Sequence, residues 1–188
     1  MMNNLKVKNK KLKSSGGFTV LESIVAIMIL SLSVSGAFSA VTQSLSQAII
    51  AKDEVNAFYL AQEAVEIIRN KRDNNQLARI KGGSNTWLTG ITDASNCPFN
   101  QVCKADVKAA SPLIYCGASW NSCDNLKQDP TTFLYGYTSG SATNFKREIM
   151  LEPIPGTSDE ISITVRISWT KGSMPFEFKI KAHLFNWI

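Results

Sequence analysis

Three sets of residues in this 188-residue chain have types and spacings that could do chemistry: a lone carboxylate, Glu22, inside an apolar run; four cysteines; and a single histidine, His183. A carboxylate placed among apolar side chains is costly unless a positive charge meets it, so Glu22 calls for a cationic partner or a function. Cys97, Cys103, Cys116 and Cys123 form an even set in a loop-rich stretch, which in an exported protein favours two disulfides. Zinc competes for the same thiols, but their spacings are unlike the close pairs of structural zinc ligands, and no metal is expected. Pairing Cys97 with Cys103 and Cys116 with Cys123 is one of three connectivities, and the sequence does not choose among them. His183 falls on the polar side of an alternating stretch, beside lysines and with no carboxylate partner in view, which argues against a catalytic base.

The usual catalytic motifs are absent. There is no Gly-x-Ser-x-Gly elbow, phosphate-binding glycine loop, dinucleotide fingerprint or EF-hand, and the acidic residues are scattered rather than paired. The expectation is a protein that is not an enzyme and uses no cofactor. Trp87, Trp120, Trp169 and Trp187 are expected in the core or in subunit contacts, with an adhesive surface on the 76–142 loops as the alternative.

The formal charge of +5 suggests a nucleic-acid partner until its location is noted. Lys6, Lys8, Lys10, Lys11 and Lys13 account for all of it, leaving residues 18–188 formally neutral. Nucleic-acid contact therefore has no electrostatic support.

From Phe18 to Ile50 the chain carries no charge except Glu22. A helix of that length reaches roughly 50 Å, against a bilayer core of about 30 Å. The membrane portion is placed at about 18–41, because Thr42, Gln43, Ser44, Ser46 and Gln47 raise the polarity beyond it. Lysines before the span and none within it keep the basic end in the cytoplasm and the remainder outside. A cleaved secretory signal, with Val34-Ser35-Gly36 as a possible cut site, and a plain uncut anchor are the competing readings.

The junction itself is specific. A lysine-rich leader, Gly16-Gly17, then Phe18-Thr19-Val20-Leu21-Glu22 and an apolar helix closely resembles the prepilin N-terminus of type IV pilins and type II secretion pseudopilins. The resemblance covers about residues 5–50. It implies that prepilin peptidase cuts after Gly17 and N-methylates Phe18. It also implies that Glu22 meets the Phe18 ammonium of a neighbouring subunit during assembly. The partners implied are other pilin subunits, the peptidase, the pilus or secretion assembly machinery and membrane lipid. The place implied is the bacterial inner (cytoplasmic) membrane, single-pass with the C-terminal head outside, and afterwards an extracellular pilus or a periplasmic pseudopilus. Many members have a proline in this helix, whereas the first proline here is Pro98; Gly36 and the serines from Ser31 to Ser39 would have to permit any loosening.

Beyond Ile50 the pattern is amphipathic. Val55, Phe58, Tyr59, Ala61, Val65 and Ile68 approximate a helical stripe, and the helix is expected to weaken at Asp73-Asn74-Asn75. The stretch from Phe58 to Asn75 is also similar to PilV-like minor pilins. Residues 76–142 read as loops with short strands near 113–116 and 132–137.

The C-terminal third alternates clearly. Ile161, Ile163, Val165, Ile167 and Trp169 share one face, as do Phe176, Phe178, Ile180, Ala182 and Leu184, with a turn over Lys171 to Pro175. Phe145, Arg147, Ile149 and Leu151 oppose Lys146, Glu148, Met150 and Glu152 in a third strand ended by Pro153 and Pro155. The organisation expected is a leader at 1–17, an apolar helix at 18–50, an amphipathic helix at 51–75, the cysteine-bearing loops at 76–142 and an antiparallel sheet at 143–188. The class is α+β, with the long helix packed on a three- or four-stranded meander, as in the pilin fold. The runners-up are a type II secretion pseudopilin and a membrane-anchored extracellular binding domain that never polymerises.

Overall fold

A computed structural model describes residues 16–93, 96–107 and 111–187. The leader lysines lie outside the described residues. One helix, α1 (Val20–Ile80), precedes seven strands: β1 (Val102–Ala105), β2 (Leu113–Gly117), β3 (Asn125–Gln128), β4 (Tyr135–Gly136), β5 (Ser141–Pro153), β6 (Glu160–Lys171) and β7 (Met174–Phe185). The chain divides into two compact units, Met1–Ile49 and Ile50–Ile188. In the first, every described residue is exposed.

The second unit is a helix-on-sheet layer, α+β as the patterning predicts. β5 is the central strand: β6 pairs with one edge, while β1 and β3 share the other at Ile149–Met150 and at Ser141–Lys146. β2 extends β1, β4 extends β3 and β7 extends β6, all antiparallel. The sheet thus has seven strands rather than three or four. β1 and β3 were not legible because four-residue strands acquire identity only by pairing with β5. The strand expected at 132–137 shrinks to Tyr135–Gly136. The turn expected over Lys171 to Pro175 tightens to Gly172-Ser173, with Gly172 at φ +61°, since both flanking residues join the ladder.

The inner face of the sheet follows the predicted alternation. Ile149, Leu151, Ile163, Val165 and Ile167 are all fully buried, each worth about 1.5–3 kcal/mol of apolar burial. The helix stripe is rotated from the expected one. Ala57, Leu60, Ala61, Ala64, Val65 and Ile68 face the core, whereas Val55, Phe58 and Tyr59 are exposed. Three alanines lie on the buried face, and the bulkier Val55, Phe58 and Tyr59 are left outside.

The helix also outlasts its expected end. Asp73-Asn74-Asn75 does not break it, because the buried Asn75 amide donates to the carbonyls of Trp87 (3.1 Å) and Thr89 (2.8 Å). Gln76 Nε2 likewise donates to Asn186 Oδ1 at 2.7 Å. Termination comes at Gly82, with φ +88°: its N–H bonds Arg79 O at 2.9 Å and the Gly83 N–H bonds Ala78 O at 2.8 Å, a Schellman cap.

Candidate functional site

The segment around the candidate cut starts without helix. Residues 16–19 are irregular and α1 begins at Val20. Thr19 is the cap: its Oγ1 accepts the Glu22 N–H at 3.3 Å, and its carbonyl accepts the Ser23 N–H at 3.1 Å. Thr19-Val20-Leu21-Glu22 fits the S/T-x-x-E signature of a helix start, a signal the sequence reading passed over. Glu22 consequently sits in the first turn, where the positive end of the helix dipole favours a carboxylate by about 0.3–1 kcal/mol. The bond between Gly17 and Phe18 lies in the irregular part, and Phe18 is 75% exposed.

The helix from Val20 is long and apolar enough to cross a membrane. Several of its hydroxyls are accommodated within the helix. Ser31 Oγ donates to Ile27 O (2.7 Å), Ser33 to Ile29 O (2.9 Å), Thr42 to Ser39 O (2.9 Å) and Ser44 to Ala40 O (2.8 Å). A hydroxyl bonded to its own backbone no longer needs water, so these residues are compatible with a lipid or packed-helix environment. What this segment presents is an exposed apolar rod with one carboxylate one turn from its start.

No protein-family model, curated protein or solved structure matches this chain.

The head carries two ion networks. Arg147, on the inner face of β5 and 1% exposed, donates through Nη1 to Glu63 (2.6 Å) and Leu60 O (3.3 Å), and through Nη2 to Ala105 O (2.7 Å). It ties helix, β1 and β5 together. Glu148, its neighbour, lies on the opposite face of the strand as the alternation predicts, yet is fully buried there. Its carboxylate accepts from the Cys123 N–H at 3.2 Å and from Arg166 Nη1 at 3.4 Å. Arg166 also pairs with Glu177 and lies 5.6 Å from the Trp120 ring centroid.

Both disulfides are local: Cys97 joins Cys103 and Cys116 joins Cys123. The second fixes the loop whose Cys123 N–H covers Glu148. Among the described residues no cluster of His, Cys, Asp or Glu could hold a metal. His183 does have a carboxylate partner, contrary to the sequence reading: Glu160 Oε1 lies 2.6 Å from its Nδ1, brought there by the β6–β7 register. The pair is solvent-accessible, with side chains 44% and 26% exposed. The tryptophans divide. Trp87 and Trp169 are core, Trp120 is half-buried, and Trp187 is exposed under the Arg72 guanidinium at 4.6 Å.

Proposed function

We propose that this chain is the precursor of a filament subunit of the type IV pilin class, most like a minor pilin, assembled through its N-terminal helix. Prepilin peptidase removes residues 1–17 by cutting after Gly17 and N-methylates Phe18. The head then stands outside the inner membrane, and the helix passes from lipid into the filament core. The observation that carries this reading is the ordered junction Gly16-Gly17-Phe18-Thr19-Val20-Leu21-Glu22, leading into a helix apolar on every side. An all-apolar surface is stable only when covered on all sides, first by lipid and then by copies of itself. The helix-on-sheet head agrees with the pilin fold and supports the same reading.

Glu22 gives the proposal its physics. Cleavage creates an α-ammonium at Phe18 that is largely charged at neutral pH, and methylation leaves the charge in place. In a packed helical core, the carboxylate of one subunit and the ammonium of the next attract with little screening and set the axial register. Replacing Glu22 with Ala is expected to leave cleavage and membrane insertion intact while reducing incorporation into sheared filaments at least about tenfold, the equivalent of about 1.4 kcal/mol per contact. Quantitative blotting of membrane and filament fractions measures this. Undiminished incorporation would remove Glu22 from the assembly mechanism.

A further inference from the structure

On the outer face of the sheet, four strands set one row of polar side chains. Asn125 of β3 pairs with Lys146 of β5, Lys146 with Ser168 of β6, and Ser168 with Glu177 of β7. Partners in register share a face, so the row crosses three inter-strand spacings, about 14 Å. Beside it, Thr170 pairs with Pro175, and Asn144 Nδ2 donates to Thr170 O at 2.8 Å. Arg166 and the loop residue Asn121 border the row on its other side, and Trp169 and Phe176 complete the lining of a cleft of about 580 Å³. That volume is in the range of small-molecule sites.

The protein fixes the hydrogen-bonding ends of the cleft's amides. A carbonyl can bond only the nitrogen of an asparagine amide. Asn125 Nδ2 on Thr143 O, at 3.0 Å, and Asn144 Nδ2 on Thr170 O therefore leave the two Oδ1 atoms as acceptors. Asn121 is turned the other way: its Oδ1 accepts from Arg166 Nη1 at 3.2 Å, which leaves Nδ2 as a donor. Its backbone, at φ +75°, is held by Lys146 Nζ donating to Asn121 O at 3.1 Å and by the Cys116–Cys123 disulfide that closes the loop. Charge is balanced in place. Arg166 meets Glu148 and Glu177, and Glu177 meets Lys179 as well. Lys104 chiefly, and Lys146 in smaller part, hold the nearby Asp124 carboxyl below its usual range. An anion entering the cleft would have to compete with these carboxylates. A neutral hydroxyl would not, and it can both donate and accept.

We propose that this cleft binds a neutral saccharide of disaccharide size. Asn125 and Asn144 accept from its hydroxyls, Asn121 donates to them, and the Pro175 ring offers an apolar surface to a C–H face of the sugar. The length of the row suits two linked rings better than a single small ion. The inference is independent of filament assembly, because every residue it uses belongs to the head.

The test uses the full chain, labelled with nitrogen-15, in micelles of a detergent without sugar head groups. Maltose, cellobiose, lactose, mannobiose and diacetylchitobiose are titrated in turn while the side-chain amide signals of Asn121, Asn125 and Asn144 are followed. At least one disaccharide should shift these signals saturably, with a dissociation constant of about 1 mM or tighter. Ser168→Tyr fills the cleft, keeps every hydrogen bond named above and suits a strand, so it should weaken that binding at least about tenfold with the urea midpoint of the head unchanged. Should that variant fold poorly, Asn125→Ala removes one acceptor and should weaken binding by a similar factor. The proposal is overturned if no disaccharide moves the three signals at about 20 mM, well above millimolar affinity. Equally decisive against it would be undiminished binding by the variants, or inorganic phosphate binding at the same residues more tightly than any of the sugars.

Discussion

Glu148 and Glu177 both lie on the outer face of the sheet and both reach Arg166, yet their surroundings differ. Glu148 is 0% exposed and accepts from the Cys123 N–H, while the Glu177 side chain is 39% exposed. Truncating a buried partner strands the groups around it, so Glu148→Ala should destabilise the head by about 2–3 kcal/mol. Glu177→Ala should cost no more than about 1 kcal/mol, because water screens and replaces its contacts. Urea melts of the two variants make the comparison. Hydrogen bonding to Lys179 holds the Glu177 carboxyl below its usual range, burial notwithstanding, and Arg166 adds to the effect. Tyr137 runs the other way. Burial pushes its hydroxyl up to about 12, and it donates to Arg147 O at 3.1 Å. A phenol held neutral by the fold contributes fully below its unfolded value, about 10, and that contribution is lost as the pH climbs toward 12. Tyr137→Phe should therefore flatten the decline in urea midpoint between about pH 10 and pH 12, at a cost of about 1 kcal/mol at neutral pH. An unchanged alkaline slope would contradict this. At this scale the sequence was informative about Arg147, which shares a face with Phe145 and Ile149, and misleading about Glu148. Alternation reports the face a residue takes but not what loop later covers that face. The same limit hid the Glu160 partner of His183, which only the hairpin register reveals.

Among the elements, β6 and β7 were readable because each satisfies the period-two rule over its length and the tight Gly172-Ser173 loop sets their register. The end of α1 was not. Asn74 and Asn75 are turn-formers locally, and the groups that hold Asn75 and Gln76 in the helix, at Trp87, Thr89 and Asn186, are distant in sequence. The helix face differs from the expected one for a related reason: hydrophobicity alone ranks Phe58 above Ala57, whereas the core-facing position is held by the smaller residue. The short strands β1 and β3 depend on what surrounds them, notably the Cys97–Cys103 link that ends within β1 and the Cys116–Cys123 link between β2 and β3. Replacing Cys116 and Cys123 together with serine should lower head stability by about 2–3 kcal/mol through loop entropy alone. It should also hasten hydrogen exchange at the Cys123 position, whose N–H covers Glu148. Exchange there as slow as in the disulfide-bonded protein would show that the loop is held by something other than the bond.

For the whole molecule, the first unit exposes its apolar side chains on every side while the second buries a core of its own. The head has the buried core of a water-borne domain, and the exposed apolar side chains from Val20 to Ile49 are compatible with an apolar medium. In the proposed passage of that helix from lipid into a filament, residues 1–17 would be removed, the new amino group at Phe18 would gain a partner in a neighbour's Glu22, and apolar helices would pack in register. Intact mass and N-terminal sequencing of the protein from the membrane fraction of cells that express it test that passage most directly. The account predicts a chain that begins at N-methylated Phe18. A chain that retains its lysine leader, or one that begins at Ala37, would contradict it.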